Sequence, residues 1–473
     1  MAFLEQLEDE ATPADPAAAP LISERTVHEQ VKIEPRSVAV IGAGGAGLAA
    51  AWKLVRAGQE VTLFERRESA GGRMRTDQLD GIGYDAGAQL VSGSYTAFFS
   101  LTRSLNMADR LARSPGRDAV WRKGRAHILS YGSVASMIRS SALPTGLKLR
   151  LGAKYLPFLA RQPRLDLHDL VHTGGVALDN ESIGSWGMRE LGADFVELLA
   201  YPLLGAYYGS APEQTSAAVY HALARAGMDV SLYAARSGMG AIARDLAEGL
   251  ASRGAGLRYN TGIERIEAVH NGVVLHRSAG AERYDAVVVA VPGGEAARLL
   301  DGHAISEWLG QVRSAATCTL ALALARPSAA DFFGLSLPRS EPKSAVVAVC
   351  VQERKVADLV PKGRGALVVM PAPDESGALA QLGPSEVFDR LMPAVERVLP
   401  GTLSAVLRAR VTYFPEGNPV FYPGYVRRLE AMNTNLLPHG VALAGDYLVA
   451  PTVEGAVRSG VAAAERLLAS FNP

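Results

Sequence analysis

The glycine-rich stretch at residues 38–48 constrains the fold more than any other part of the sequence. It joins an apolar run to an alanine-rich run through the pattern G-x-G-x-x-G. Gly42 permits a tight turn, Gly44 lets the backbone approach a ligand, and Gly47 lets helix and strand pack closely. The free N–H groups of the helix and the positive end of its dipole favour phosphate. The stretch therefore predicts a cradle for a dinucleotide pyrophosphate, formed by Gly42, Ala43, Gly44, Gly45, Ala46 and Gly47.

A second strand and a carboxylate complete this motif. After a helix predicted over residues 48–57, the run at 60–64 alternates in a strand pattern and ends at Glu65. A carboxylate at the tip of the second strand, about 20 residues past the glycines, is placed to accept hydrogen bonds from the ribose hydroxyls of an adenosine. We assign Glu65 and its neighbour Arg66 to the cofactor site.

Length and composition limit the classes of protein that this chain can belong to. The chain of 473 residues is too long for a single hydrophobic core of ordinary size, so we expect two domains built from interleaved segments. Lysine plus arginine and aspartate plus glutamate are both 48, which gives no sign of a nucleic-acid partner. Cys318 and Cys350 each lie in an apolar segment, so we interpret both as small core residues, and we expect no metal site.

The sequence predicts a cytoplasmic protein. No apolar run is long enough to span a membrane, and the N-terminus lacks the order of a secretion signal. Residues 1–35 are rich in alanine, proline and acidic groups with little periodicity, which predicts a disordered extension.

The remaining chain predicts an α/β fold in two parts. A Rossmann-type domain is expected from residues 36–92, 236–300 and 420–473, and a substrate domain of mixed sheet and helices from 93–235 and 301–419. Residues 95–235 have mainly helical periodicity. Residues 285–291 predict a buried parallel strand that returns to the nucleotide-binding sheet. The clearest other periodic segments predict helices at 96–105, 146–159, 183–199, 241–252 and 385–398, and strands at 256–259, 262–270, 272–276, 319–325, 345–351 and 365–371.

Three further clusters could meet the cradle. The loop at 69–76 contains Gly71, Gly72 and Arg73, whose backbone and guanidinium suit a phosphate or a flat ligand. The stretch 84–91 offers a second approach through small residues. Near the C-terminal end, Gly445 and Asp446 close a strand, and a last helix follows.

Taken in this order, the motifs resemble those of the FAD-dependent flavin amine oxidase, protoporphyrinogen oxidase and phytoene desaturase superfamily, over almost the whole chain beyond residue 36. The resemblance implies that Arg73 and Gly72 line the diphosphate and flavin approach and that Asp446, after Gly445, binds ribityl or pyrophosphate oxygens. It further implies that the isoalloxazine ring lies along Gly87, Ala88, Gln89 and Leu90, that Ile263 meets the adenine edge, and that Thr452, Val453 and Ala456 lie near the flavin pyrimidine.

NAD as the only dinucleotide is the rival interpretation, because the cradle and Glu65 serve either cofactor. The loop around Arg73 and the C-terminal Gly445-Asp446 element favour FAD, since a nicotinamide site does not need the last helix of the chain to close on it. No cysteine lies between residues 417 and 453, so the resemblance implies FAD bound without a thioether link at that end.

Comparison with the family pattern narrows the range of expected substrates. Simple amine oxidases of the superfamily carry a lysine near the flavin, and none occurs at 317–322. Thr452 stands where an amine-caging aromatic residue is expected. The stretches 181–186, 191–195, 201–209 and 237–240 look most like protoporphyrinogen oxidases, whereas 445–447 and 453–460 are closer to polyene desaturases and dehydroxylating relatives.

The resemblance thus implies a flavoprotein oxidoreductase that dehydrogenates a bulky, largely apolar ring or conjugated substrate by hydride transfer, with oxygen as the expected acceptor. A polyene or carotenoid-type desaturase or dehydroxylase, an amine oxidase, and an isomerase without net redox change stay open. Orientation of the substrate carries much of such a reaction, so no acid or base is assigned. The pocket candidates are Tyr207, Tyr413, Phe421 and Tyr422; a proline-rich loop with core aromatics is the alternative for 413–425.

Two segments have ordinary explanations that we prefer. His168 and His172 have the spacing of a metal-binding helix but no third ligand, which favours a surface helix face. Residues 147–159 mix basic and apolar side chains, which suits either a wall of the substrate domain or a peripheral contact with an anionic membrane; we favour the wall.

Overall fold

The computed structural model describes residues 35–114, 117–130, 133–228, 231–339, 344–356 and 358–471. Its strands are β1 (Ser37–Ile41), β2 (Glu60–Phe64), β3 (Thr76–Leu79), β4 (Ile82–Asp85), β5 (Val91–Ser92), β6 (Leu111–Arg113), β7 (Asp118–Arg122), β8 (Arg125–Ile128), β9 (Leu232–Ala235), β10 (Gly256–Arg258), β11 (Arg265–Val269), β12 (Gly272–Arg277), β13 (Gly280–Tyr284), β14 (Ala286–Val289), β15 (Ser314–Leu324), β16 (Gly334–Ser336), β17 (Val346–Val351), β18 (Gly365–Pro371), β19 (Val406–Pro419) and β20 (Val441–Leu443).

The helices are α1 (Gly45–Arg56), α2 (Thr96–Arg103), α3 (Val134–Arg139), α4 (Thr145–Arg150), α5 (Leu156–Ala160), α6 (Ile183–Glu190), α7 (Ala193–Phe195), α8 (Tyr201–Tyr208), α9 (Ala217–Ala226), α10 (Met239–Ala251), α11 (Gly293–Leu299), α12 (Ile305–Gly310), α13 (Pro373–Leu379), α14 (Pro384–Val398), α15 (Tyr425–Glu430) and α16 (Val453–Phe471). One π-helical turn joins α4 to α5 and another joins α7 to α8. None of the helices in the described part of the chain has both the length and the apolarity needed to cross a bilayer.

A five-stranded sheet carries the glycine-rich turn. Its strand order is β10-β2-β1-β14-β20, and every pairing is parallel. Parallel strands are usually buried on both faces, which explains why β14 reads as an unbroken apolar run. The predicted return of residues 285–291 to this sheet is confirmed by the pairing of β14 with both β1 and β20.

The first and last helices pack closely against each other beside this sheet. A Cβ added at Gly460 of α16 would lie 2.0 Å from the carbonyl oxygen of Ala46 in α1. The glycine therefore lets the two backbones approach more closely than any side chain would permit. The contact brings the C-terminal helix next to the cradle at the start of α1.

A seven-stranded sheet forms the second layer, in the order β19-β15-β18-β17-β16-β7-β8. Residues 95–235 were expected to be mainly helical, and this expectation is wrong for β6 to β9. The short alternating runs of β7 and β8 extend the second sheet because β7 pairs in parallel with β16. The hairpin predicted at 262–276 is present and gains a third strand, β13.

The described residues from 35 onward form one compact unit. The five-stranded sheet takes its strands from within 36–92, 236–300 and 420–473, and the seven-stranded sheet from within 93–235 and 301–419. The division into two domains stays a prediction. The predicted disordered extension at 1–35 lies, apart from residue 35, outside the described residues.

The approach of α16 to α1 predicts that Gly460→Ala lowers the free energy of unfolding by about 1–3 kcal/mol, as overpacking commonly does. The new methyl group meets a backbone oxygen, which cannot rotate away as a side chain can. Gly377→Ala in α13 is the control, since a Cβ there meets nothing within 4 Å. Urea denaturation of both variants checks this; equal stability of Gly460→Ala and the parent would contradict the close packing.

Candidate functional site

The cradle glycines have the conformations that their predicted roles need. Gly42 has a φ of +100°, and a Cβ there would lie 2.5 Å from the carbonyl oxygen of Ala290. A Cβ at Gly47 would lie 1.8 Å from the carbonyl oxygen of Gly42, so only glycine lets α1 approach β1 this closely. At Gly44 a Cβ would meet nothing within 4 Å, and no side chain caps α1. The start of α1 therefore borders open space at Gly44 that a ligand can occupy.

Glu65 lies beside these groups at the end of β2. Its carboxylate accepts hydrogen bonds from the N–H of Ala43 and the N–H of Arg67, both at 2.9 Å. The side chain is largely buried, yet it lines the cavity described below. Each carboxylate oxygen keeps a lone pair, so the group can accept further hydrogen bonds from two hydroxyls.

The loop after β2 connects the cradle to the C-terminal part of the chain. The N–H of Gly71 donates to the carbonyl of Ala43 at 2.8 Å. Arg73 forms a two-point ion pair with Asp446, with N–O distances of 2.7 and 2.9 Å, and also donates to the carbonyl of Gly417 at 2.6 Å. The pair holds the loop at 71–73 against the turn after β20. A Cβ at Gly72 would lie 3.2 Å from the Cα of Gly44, so this loop also lies close to the cradle.

Residues 85–89 are held in place by a buried ion pair. The ammonium of Lys355, which is fully buried, lies 2.5 Å from a carboxylate oxygen of Asp85 and 3.1 Å from Oε1 of Gln89. The amide of Gln89 in turn donates to the carbonyls of Asp85 and Gly87. A Cβ at Gly87 would lie 2.0 Å from the carbonyl oxygen of Arg73. These contacts hold 85–89 as a rigid edge beside the loop at 71–73.

The sequence motifs did not predict that Lys355 supports the site. The search for a lysine near the site concerned residues 317–322 of β15, and Lys355 instead follows β17. Its ammonium is occupied by Asp85 and Gln89, and the residue does not belong to the cavity lining found in the described part of the chain.

The last helix begins directly at the site. Thr452 precedes α16, and its hydroxyl accepts a hydrogen bond from the N–H of Gly455 at 2.9 Å. Glu454 is fully buried and accepts hydrogen bonds from the N–H groups of Ala97 and Phe98, which ties α16 to α2. The start of α16 is therefore held in place with its first N–H groups near the cavity.

A cavity of about 500 Å³ runs along all these elements. Its lining contains most of the predicted cofactor residues: Gly42, Gly44, Gly45, Ala46, Glu65, Arg66, Gly72, Arg73, Gly87, Ala88, Gln89, Leu90, Ile263, Gly445, Asp446, Thr452, Val453 and Ala456. Ala43 and Gly47 do not belong to the lining; Ala43 contacts Glu65 through its N–H, and Gly47 packs on Gly42. The structure thus brings together five separate stretches of the chain around one cavity.

The cavity continues over the seven-stranded sheet. There it is lined by residues of β7 and β15 to β19 and by 205–209 at the end of α8, together with Tyr95. Thr319 of β15 donates a hydrogen bond to the carbonyl of Ala86 at 3.1 Å, which fixes the sheet to the edge at 85–89. Aromatic, aliphatic and sulfur-containing side chains dominate this part: Leu90, Tyr95, Tyr207, Tyr208, Phe333, Met370 and Phe414.

Three of the four pocket candidates lie elsewhere, which corrects their assignment to the pocket. Tyr413 is in β19, where its hydroxyl donates to the carbonyl of Leu382 and its ring packs behind the sheet. Phe421 is buried against Tyr425, and Tyr422 stacks under the guanidinium of Arg313. Residues 413–419 belong to a strand, so alternate side chains point away from the cavity. Tyr207 lines the cavity as expected.

Cys318 and Cys350 are both buried, as expected of core residues, but both also line the cavity. Burial raises the pKa of the Cys318 thiol to about 11 and that of the Cys350 thiol to about 12. Both thiols therefore stay protonated at neutral pH and are poor nucleophiles.

His168 departs from the expectation of a surface helix face. Residues 166–174 form turns rather than a helix, and His168 is buried, with Nε2 3.1 Å from the hydroxyl of Thr452. Burial lowers the pKa of His168 to about 4, so the ring is neutral at pH 7. His172 is exposed. In the described part of the chain, no group of three or more histidine, cysteine or acidic side chains is arranged to hold a metal ion.

The segment at 147–159 packs one face into the helical core through Leu147, Tyr155 and Leu159. Its opposite face exposes Leu149 and Leu156. The buried face supports the wall interpretation, and a membrane contact stays a prediction.

The glycine cradle, the carboxylate at the end of β2 and the C-terminal helix that closes on them define a dinucleotide-binding fold. The open space at Gly44 and the start of α1, which no side chain caps, fit a pyrophosphate. The sequence profile of the flavin containing amine oxidoreductases matches residues 46–468, and the chain belongs to this family. This is one of the families that the sequence motifs resembled, so the resemblance is confirmed at the level of the family.

Individual relatives are distant. The chain is similar to the mitochondrial protoporphyrinogen oxidase of Nicotiana tabacum, at 31% identity over 38% of this chain and 34% of that protein. It is also similar to coproporphyrinogen III oxidase of Mycobacterium tuberculosis, at 28% identity over 61% of this chain and 67% of that protein. The match thus spans about a third of the tobacco relative. Among solved structures, cyclohexylamine oxidase from Brevibacterium oxydans aligns over 93% of this chain and all of that chain, with a TM-score of 0.71 at 17% identity, which shows a shared fold.

The position of Glu65 predicts that Glu65→Ala weakens FAD binding at least tenfold, because hydrogen bonds to a charged group contribute roughly 1.5–3 kcal/mol each. Glu60→Ala, at the exposed start of the same strand, should bind FAD like the parent. Fluorescence titration of the apoprotein measures the affinity, and circular dichroism verifies the fold. Unchanged affinity of a folded Glu65→Ala protein would show that the nucleotide does not lie along β2.

Proposed function

We propose that the protein dehydrogenates a bulky, largely apolar ring or conjugated substrate by hydride transfer to non-covalently bound FAD, with a protoporphyrinogen-like tetrapyrrole as the leading candidate. The observation that carries this proposal is the continuation of the cofactor groove into an aromatic and aliphatic space above the seven-stranded sheet. A flat apolar substrate gains most of its binding free energy from such a surface.

The cofactor placement proposed here follows the order of residues along the cavity. The pyrophosphate would lie at Gly42–Gly47, the adenosine ribose at Glu65 beside Arg66, and the adenine at Ile263. The isoalloxazine would lie between the edge at 87–90 and Thr452, Val453 and Ala456. All of these residues except Ala43 and Gly47 share one continuous lining, which supports the placement.

When bound, FAD supplies a two-electron acceptor. The chain itself contributes orientation and exclusion of water. Arg73 and Asp446 hold the loops on which the cofactor would rest, and the first N–H groups of α16 favour negative charge beside them. Neither the protonated thiols of Cys318 and Cys350 nor the neutral His168 is a strong base. Placing the reacting C–H bond carries much of the rate in a hydride transfer.

Several alternatives remain open. A polyene desaturase or dehydroxylase would use the same apolar space. An amine oxidase is supported by the family and by the shared fold of cyclohexylamine oxidase, but Thr452 and the lysine-free β15 segment offer no amine cage of the usual kind. An isomerase would need the flavin without net redox change. Oxygen as the acceptor and a cytoplasmic or membrane-peripheral location are also proposals.

The proposal predicts which compounds bleach the yellow flavin in the absence of oxygen. Acid precipitation should first release the flavin into the supernatant, as expected for a non-covalent cofactor. Stopped-flow absorbance is then followed with freshly reduced porphyrinogens, with polyenes and with small primary amines. Porphyrinogens should bleach the flavin fastest, polyenes more slowly, and small amines at least tenfold more slowly than the best substrate.

Fast bleaching by small amines alone would overturn the proposal and favour the amine oxidase alternative. Isomerised product with a flavin that stays oxidised after turnover would favour the isomerase alternative.

A further inference from the structure

A buried carboxyl group lies in the part of the cavity above the seven-stranded sheet. Asp118 begins β7, is only 7% exposed, and belongs to the cavity lining. Its neighbours across the sheet are Gly334 and, one strand further, Cys350, which pairs with Gly334. Nothing in the proposed hydride transfer uses this carboxyl group.

Space for the Asp118 side chain is provided by a glycine. β7 and β16 pair in parallel with Asp118 opposite Gly334, and a Cβ at Gly334 would lie 2.7 Å from Oδ1 of Asp118. The carboxyl oxygen thus lies directly beside the backbone of Gly334. The carboxyl group therefore has a defined place over the sheet, and any larger residue at 334 would displace it.

Asp118 has no cationic partner within the described part of the chain. Among the described residues, none of the ion pairs found includes Asp118. The arginines of the cavity lining are Arg66, Arg67 and Arg73, which all follow β2 at the nucleotide end. In the described chain, β7, β15 to β19 and α8 contribute no lysine or arginine to the lining. Burial accordingly raises the pKa of Asp118 to about 7.

A lone buried carboxyl group in an apolar cavity is costly unless a partner arrives with the ligand. The described residues of the sheet end include acceptor oxygens and no lysine or arginine, so this end disfavours a carboxylate on the substrate. It favours a group that donates N–H hydrogen bonds, most strongly a cationic one.

We propose that Asp118 is a specificity-determining residue that selects ring substrates presenting an N–H donor, and not a carboxylate, to the sheet end of the cavity. This inference rests on the proposed function, since it takes that part of the cavity as the substrate site. It narrows the substrate class to nitrogen-bearing rings whose anionic substituents, where present, point away from β7.

Three probes that share one ring test this selection without any turnover: 2-naphthamidine, 2-naphthamide and 2-naphthoate. They are cationic, neutral and anionic at neutral pH, and none has an oxidisable C–H bond beside its polar group. Binding to the holoenzyme is measured by the perturbation of the flavin spectrum and by equilibrium dialysis. The parent should bind the amidine at least tenfold more tightly than the amide, and the carboxylate most weakly.

Asp118→Asn keeps the shape of the side chain and removes its charge. It should lose the tenfold preference for the amidine while binding the amide within about twofold of the parent. Gly334→Ala, which retains the charge but displaces the carboxyl group, should also weaken amidine binding. Asp331→Asn is the matched control, since Asp331 is an exposed carboxylate paired with Arg117, and it should match the parent with all three probes.

Equal affinities of the parent for amidine and carboxylate would overturn the inference, as would an unchanged amidine preference in Asp118→Asn. These outcomes are independent of the proposed function, which fails when no ring substrate bleaches the flavin. Probe selectivity without bleaching would leave Asp118 as the recognition group of a different reaction.

Discussion

The ion pair between Arg73 and Asp446 is the interaction on which the geometry of the site depends. It joins two loops that are 373 residues apart in sequence, and the same guanidinium also binds the carbonyl of Gly417 at the end of β19. Three parts of the chain thereby meet at one side chain. Arginine suits this position because its planar fork can bind a carboxylate through two N–H groups and a carbonyl at once. The cavity has a fixed outline because these loops cannot move independently.

The ion pair between Arg73 and Asp446 can fix the loops in place because close backbone contacts surround it. Gly72 lies against Gly44, Gly87 against the carbonyl of Arg73, and Gly460 against the carbonyl of Ala46. Each contact excludes a side chain that would separate the loops. On the far side, the buried pair of Lys355 and Asp85 fixes the edge at 85–89. Such a pair is costly to desolvate, so its value lies in specifying one arrangement of groups rather than in net stability.

The two ends of the cavity differ in charge, and this difference indicates which part of the cavity suits the cofactor and which suits the substrate. The nucleotide end combines arginines with the N–H groups of α1, which suits phosphate. The sheet end combines aromatic surface with the buried carboxyl group of Asp118, which suits an apolar ring that donates hydrogen bonds. A substrate that donates hydride would be held by contacts at both ends of the cavity. Such contacts fix its orientation, which is what a reaction governed by positioning requires.

The parts of the site that could be predicted from the sequence are those encoded by local motifs. The turn at Gly42–Gly47, the carboxylate of Glu65 and the strand before Asp446 each depend on a few consecutive residues. Asp118 and Lys355 could not be found in this way, because a charged residue at the start of a short strand or in a turn is usually exposed. Their burial depends on strand pairings between distant segments. Tyr413 lies in β19, and an aromatic run gives no indication of which face of a strand borders the cavity. Phe421 follows that strand and is buried against Tyr425 instead.

The central claim is that Arg73 and Asp446 act as one unit that shapes the cofactor site. A double-mutant cycle of Arg73→Met and Asp446→Asn tests it most directly, with FAD affinity of the apoprotein measured by fluorescence titration and the fold checked by thermal melting. Each single variant should bind FAD at least tenfold more weakly, and the double variant should be no weaker than the weaker single one. Losses that multiply in the double variant would show that the two residues act independently and would contradict the account.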